Sequence, residues 1–509
     1  MRKTTFLVKL LVFALVAILS IAVLVGCGGD KTDGETAQTG DVAGQQGGNA
    51  DANVTKYNVG IAKGSELGKV EASALRSAGE GTVYEFTVTP KAGYVVKTFK
   101  IGGVALEVKE NKASCVLKGD AVIEVEYERK ASEELEKRRQ KVHDEMYLIT
   151  STYFQFDRDY DYKITSAKGA KISKDKLYRG MPYSNFPTVP YRMFVEDFTT
   201  GPDENGIYQV KNIWAEESSG AIVGNNCADA VYWAWTHIST TLDCVLSGSF
   251  SEPNGCVYVG TYKVDEKVDL DDKGGFKKTL EVCEKNGMFT MFDSYALLKK
   301  GDALMNATNG AGHIVLVSDV KIVRGSDGKV NGDRSYVVYL DQNSGYSDKP
   351  AFNGKQVQSS CSAGDEQWTL TELFNDGYIP VTCKELMDDS TPIEEEWIKD
   401  SLDESKLTTL NVLRGYIESN YYFSKIRMEI TDANGNTVFA ANRYRDELNP
   451  KRVALSWFKE TNGTEYKDKV IYDSALNMDA LASGTYNCKV TVWLASGNSY
   501  VARDFQFTK

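Results

Sequence analysis

Histidine is almost missing from this chain. His143, His237 and His313 are the only three in 509 residues, so an imidazole base must be one of them. Nine cysteines occur, none in a CxxC spacing, which excludes zinc held by cysteine pairs. There is no HExxH helix and no glycine-rich phosphate loop, so zinc-peptidase and nucleotide-phosphate chemistry have no carrier. Asp157, Asp159 and Asp161 open like a calcium loop, but Tyr162 and Lys168 stand where an EF-hand needs glycine and glutamate. A positive excess is absent as well: 59 Lys and Arg face 71 Asp and Glu, a formal net charge of −12. Phosphate backbones need a basic face, so no nucleic-acid partner is expected. No metal or other cofactor is expected either.

What is present at the N-terminus speaks to location. Met1-Arg2-Lys3 and Lys9 give a basic start, and Leu10 to Val25 is almost wholly apolar. That run is short for a membrane span and has the order of a secretory signal. It ends Leu24-Val25-Gly26-Cys27 and resembles the lipobox of bacterial lipoproteins. The resemblance implies a signal peptide and lipobox over 1–27, a lipid on Cys27, and an extracytoplasmic protein anchored to the bacterial cell membrane without spanning it. Residues 28–55 are rich in Gly, Asp, Gln, Ala and Thr. They cannot bury enough apolar surface to fold and read as a flexible linker.

Two β-rich stretches flank a mixed middle. Residues 56–128 alternate at period two in Tyr57 to Ile61, Val83 to Val88 and Ile123 to Tyr127, with turns at Gly102-Gly103 and Lys118-Gly119-Asp120. Pro90-Lys91-Ala92-Gly93-Tyr94-Val95-Val96, with Ile101-Gly102-Gly103 and Glu124 to Tyr127, resembles an internalin-type B repeat, which implies a spacing or adhesion role. Over 129–149, Ser132 can cap a charged helix with one narrow apolar face, Leu135, Val142 and Met146, read as a connector with His143 on its solvated side. Residues 150–390 mix strands, a helix and loops; 391–406 read as an acidic linker. Residues 407–509 are β again, with a hairpin signal at Asp432-Ala433-Asn434-Gly435-Asn436. This last part resembles the immunoglobulin-like modules of Gram-positive surface proteins.

The chemistry concentrates in the middle. Cys227 stands at the start of a helical run, Ala228 to Ile238, with Asn225 or Asn226 able to cap it. Free backbone N–H groups and the dipole at a helix start stabilise a thiolate. His313 heads the apolar run Ile314-Val315-Leu316-Val317, which reads as a buried strand, after the glycine-bearing Asn309 to Gly312. A Cys–His pair on two rigid elements is the pattern of a cysteine hydrolase, and the order Cys then His fits a papain-like arrangement. His237 lies about three helical turns from Cys227 and reads as structural.

Leu298 to Met305, with its Gly301-Asp302 turn, followed by Gly312 to Val317, resembles the NlpC/P60 pattern. Tyr178-Arg179-Gly180-Met181-Pro182-Tyr183 looks like that family's Gly-x-Pro-Tyr segment, and Asn226-Cys227-Ala228 stands where it shows Asp-Cys-Ser. The resemblance covers about residues 175–345. It implies an α+β fold: a papain-like NlpC/P60-type core over 150–390, flanked by a small N-terminal β domain and a C-terminal β-sandwich. It also implies Cys227 as nucleophile, His313 as base, an oxyanion site near Tyr183 and Asn226, and peptidoglycan stem peptide or another peptide amide as substrate. The family's third polar residue falls on the next strand, where Tyr336 to Leu340 ends Asp341-Gln342-Asn343. Alternation lets only one of Asp341 and Gln342 face the histidine; Gln342 is slightly favoured over Asp341, and Asn343 is a third choice. Asn226, Ala228 and Asp229 depart from the family pattern, and 244–290 looks inserted. These departures sustain a second reading, a catalytically degenerate cell-surface binding or adhesion lipoprotein.

Overall fold

The computed structural model describes residues 56–509 apart from 62–64, 73–76, 80, 82, 166–167, 186–187, 240–241, 243–255, 265–277, 309–310, 406, 411–412, 445–451, 458–469 and 472–479. The expected signal, Cys27 and the 28–55 linker lie outside the described residues, as does much of the expected insertion. Among the described residues no helix is long and apolar enough to cross a membrane.

The chain is mixed α+β, with strand outweighing helix. In the first module Val83–Pro90 buries every second residue, Tyr84, Phe86 and Val88, as period-two alternation requires. Two sheets, of five and three strands, close over that core.

A ten-stranded sheet forms the middle of the molecule. Its centre is four strands, each antiparallel to the next: Ala303–Thr308 (β1), Ala311–Lys321 (β2), Tyr336–Phe352 (β3) and Lys355–Thr369 (β4). Leu177–Arg179 runs parallel to β4 and pairs in turn with Tyr153–Phe156. On the other side Ile379–Cys383 pairs with β1, and Cys256–Tyr258 closes that edge. Ile314, Val315, Leu316 and Val317 of β2 are all fully buried; a strand covered on both faces reads as a continuous apolar run.

The helix expected as a connector is part of this core. Glu133–Ser151 (α1) is capped by Ser132, whose side chain accepts from the Leu135 N–H. It buries Leu135, Val142, Met146 and Ile149 and packs on the helix Cys227–Thr236 (α2) and on the central strands. His143 is not on a solvated face: its Nε2 lies 2.9 Å from the Ser318 hydroxyl. Burial, then nearby Lys300, pushes its pKa down. The sequence signal underrated this helix because Arg138 and Arg139 look like surface residues. Both are buried, and Arg139 donates to the carbonyl oxygens of Lys300 and Leu386.

Two four-stranded sheets share the last core. The acidic stretch is not only a linker, since Ile398–Asp400 adds a strand to one of these sheets. The predicted hairpin is present: Asp432 Oδ1 accepts from the N–H groups of Asn434 and Asn436, and Gly435 takes φ +82°. This module docks on the middle one. Thr236 Oγ1 donates to the Ala495 carbonyl at 2.8 Å, and Lys425 pairs with Asp197 at 2.5 Å under Trp493.

Candidate active site

The Cys227 helix begins where three backbone segments are laced together. Tyr183 and Asn225 bridge in parallel. The Asn225 N–H donates to the Pro182 carbonyl at 2.9 Å, and the Ser184 N–H to the Asn225 carbonyl at 2.8 Å. Gly224 makes this approach possible: a Cβ there would lie 2.3 Å from the Pro182 oxygen. Gly224→Ala is therefore expected to cost about 1–3 kcal/mol, the range of an overpacked site. Gly345→Ala, with nothing within 4 Å of its Cβ, should leave the denaturation midpoint in place.

Asn226 is the N-cap of α2. Its Oδ1 accepts from the Asp229 N–H at 2.8 Å and its Nδ2 donates to Asp229 Oδ2 at 2.8 Å. Two of the departures from the Asp-Cys-Ser pattern thus bond each other and build a working cap. They also turn the Asn226 side chain away from the oxyanion role expected of it. Cys227 follows as the first helical residue, buried to 9 % exposure.

His313 projects from β2, opposite Asn306 of β1. Its Nε2 lies 3.0 Å from Asp341 Oδ1, with the N–H turned off the direct line, a looseness common in unliganded sites. Cys227 lies beside the same ring, close enough for its thiol to influence the imidazole. With Nε2 facing the carboxylate, Nδ1 is the nitrogen left for sulfur. Burial alone would push the imidazole pKa down. The Asp341 carboxylate, then Cys227, outweigh it and hold the ring well above its ordinary value.

The strand end therefore resolves the choice of orienting residue by geometry. Asp341 faces His313, and Asn343 Nδ2 donates to the second Asp341 oxygen at 3.4 Å. Gln342, the slightly favoured residue, is turned the other way, because adjacent strand residues point to opposite faces. Its Nε2 donates to the carbonyl oxygens of Met181 at 2.9 Å and Asn225 at 3.4 Å.

Tyr183 is a close neighbour of Cys227; burial, then the neighbouring thiol, pushes its phenol pKa up. Tyr378, beyond the region of resemblance, lies near enough to feel the charges of the site. Its phenol pKa is raised by burial and then by the nearby Asp341 charge, with a smaller contribution from Cys227. Its ring leans on Trp368, which stacks on Tyr339 with centroids 3.9 Å apart. Nothing in the local sequence Asp376-Gly377-Tyr378 marks that residue. A separate open cavity of about 670 Å³, which none of Cys227, His313, Asp341 and Tyr183 lines, lies by Ser344, Tyr346, Tyr178 and Lys171.

His237 caps the far end of α2, its Nε2 3.3 Å from Glu145 Oε2, consistent with a structural role. Among the described residues no group of acidic, histidine or cysteine side chains is placed to hold a metal ion. Cys115, Cys283, Cys361, Cys383 and Cys488 are free thiols, as is Cys227.

The arrangement can do nucleophilic chemistry: a thiol at a helix start, an imidazole against it and a carboxylate behind the imidazole. No protein-family model matches the chain, and neither a curated protein nor a solved structure does.

Proposed function

We propose that this protein is a cysteine hydrolase that cleaves amide bonds, with an NlpC/P60-like, papain-like middle domain. The observation that carries the reading is the His313 ring held between Cys227 and Asp341. Cys227 sulfur attacks the amide carbonyl carbon, and His313 gives the proton to the leaving amine. Water then attacks the thioester, losing a proton to His313 and releasing the acid and the free thiol. The Cys227 backbone N–H and the Tyr183 hydroxyl are the donors nearest the developing oxyanion. Asp341 fixes the ring tautomer and stabilises the imidazolium.

The substrate class follows from the resemblance: peptidoglycan stem peptide, reached from a lipid anchor at Cys27 on the outer face of the bacterial membrane. Incubation of the purified mature protein with wall fragments tests the reading. New muropeptides are expected with the wild type and none with Cys227→Ala; unchanged muropeptides in both would sink the substrate. The rival binding role is separated by alkylation. A Cys227 alkylation rate that is the same in wild type and His313→Ala, at every pH, favours a degenerate site.

A further inference from the structure

Asp341 and Gln342 are consecutive, and each faces one half of the site. Asp341 backs the imidazole. Gln342 is fully buried, and each end of its carboxamide is bonded. Its Nε2 meets the carbonyl of Met181, two residues before Tyr183, and that of Asn225, two residues before Cys227. Its Oε1 accepts from the Cys361 thiol at 2.8 Å. Cys361 in turn packs where Gly180 leaves room: a Cβ on Gly180 would lie 2.3 Å from its sulfur, and φ there is +85°.

These bonds converge on one register. The Gly180 to Tyr183 segment and the Asn225 to Cys227 turn are joined directly at the Tyr183–Asn225 bridge, and Gln342 ties both to the strand that carries Asp341. A shift of either segment moves the sulfur or the tyrosine hydroxyl against a base held by the neighbouring residue. We propose that Gln342 is a positioning residue. It holds Cys227 and Tyr183 in register with His313, so that one dipeptide of β3 sets base and nucleophile together. The role rests on the proposed Cys–His chemistry. It differs from the third-residue role in that Gln342 touches neither the imidazole nor the substrate.

The test compares two replacements of similar volume. Gln342→Met keeps the packing and loses the carboxamide's hydrogen bonds to Met181, Asn225 and Cys361. Gln342→Glu, when its carboxyl is neutral, keeps one donor for Met181 and the acceptor for Cys361. Each is read by wall-fragment turnover and by iodoacetamide labelling mapped to Cys227, across pH. For Gln342→Met, kcat should fall about 100-fold, the scale of a misplacement near 1 Å, with KM little changed and Cys227 labelling slowed at every pH. Gln342→Glu should recover much of both rates on the acid side and lose them as its carboxyl ionises. A purely packing role predicts the same pH profile for both variants, parallel to that of the wild type.

Wild-type turnover and labelling in Gln342→Met, or Gln342→Glu no better than Gln342→Met at any pH, overturns the proposal. Should Gln342→Met fail to fold, the ratio of Gln342→Glu to wild-type rates across pH decides alone: a ratio that falls as pH rises supports the proposal and a constant ratio overturns it. Wild-type labelling indifferent to His313→Ala overturns the Cys–His chemistry itself and this role with it. Loss of the Gln342 effects alone, with His313 dependence intact, overturns only the positioning.

Discussion

Cys227→Ala and His313→Ala are each expected to lower amide turnover by about 10⁴- to 10⁶-fold, and the double variant to be no slower than the worse single one. Nucleophile and base act as one unit, so removing either removes the shared pathway. Steady-state turnover of wall fragments by all three variants checks this; two single losses that multiply in the double variant would refute a joint role. The Asp341 contact adds a pH signature. The carboxylate 3.0 Å from Nε2 favours the protonated ring, and with Cys227 it outweighs burial to raise the imidazole. A raised histidine stays protonated to higher pH, so an activity that uses imidazolium is lost only as pH climbs through that raised value. Asp341→Asn removes the charge, and the alkaline limb of kcat should move to lower pH. Turnover should also fall about 10²- to 10⁴-fold as the ring loses its preferred tautomer. An alkaline limb that stays in place, with turnover unchanged, would leave Asp341 without its assigned part.

Asp302→Ala is expected to destabilise the protein by about 3–5 kcal/mol, the cost of leaving buried charge without its partner. Asp302 is fully buried at the turn after Gly301. It pairs with Arg129 at 2.7 Å and Arg139 at 3.1 Å and accepts from the Lys299 N–H at 2.8 Å. Arg129 ends the last strand of the first module and Arg139 lies on α1. Removing the carboxylate therefore sets two guanidinium groups against each other where three elements meet. Burial would raise the carboxyl, but Arg129 and then Arg139 overcome it and hold it below its ordinary value. A depressed carboxylate contributes stability that is complete above the unfolded value of about 4 and lost as pH falls through the folded one. Chemical denaturation at neutral and acid pH checks both points. The variant should be weaker at neutral pH and should lack this part of the wild-type acid sensitivity. Equal stability of the two proteins at neutral pH would contradict the ion-pair role.

The same carboxylate bears on the chemistry only indirectly. The Gly301 N–H donates to the Val317 carbonyl at 2.9 Å, and the Val317 N–H to the Asp302 carbonyl at 2.7 Å. The Gly301 carbonyl accepts from the Trp235 indole at 2.8 Å. The turn thus fastens α2, whose first residue is Cys227, to β2, which carries His313. Its resemblance to a known motif has a physical content here: it locks the two elements that bring sulfur and imidazole together.

Local sequence was enough for several features because they depend on neighbours in the chain. The cap before Cys227, the buried run after His313, the alternation through Val83 to Val88 and the Asp432 to Asn436 turn each follow from side-chain period or from short-range hydrogen bonds. Three histidines and a helix-start cysteine likewise left few candidate Cys–His pairings. Tertiary structure decided what depends on partners far along the chain. Alternation required Asp341 and Gln342 to face opposite ways, but only the arrival of His313 on one face and of Met181 and Asn225 on the other assigned each its work. Asn226 turned from an oxyanion candidate into a cap because Asp229 met it. His143 read as lying on a solvated helix face and proved half-buried against Ser318, while Arg138 and Arg139 of the same helix are buried because the Asp302 carboxylate and distant carbonyls pair with them. A sequence shows a residue's own chemistry and its period; burial of a charge depends on a partner whose position only the folded chain supplies.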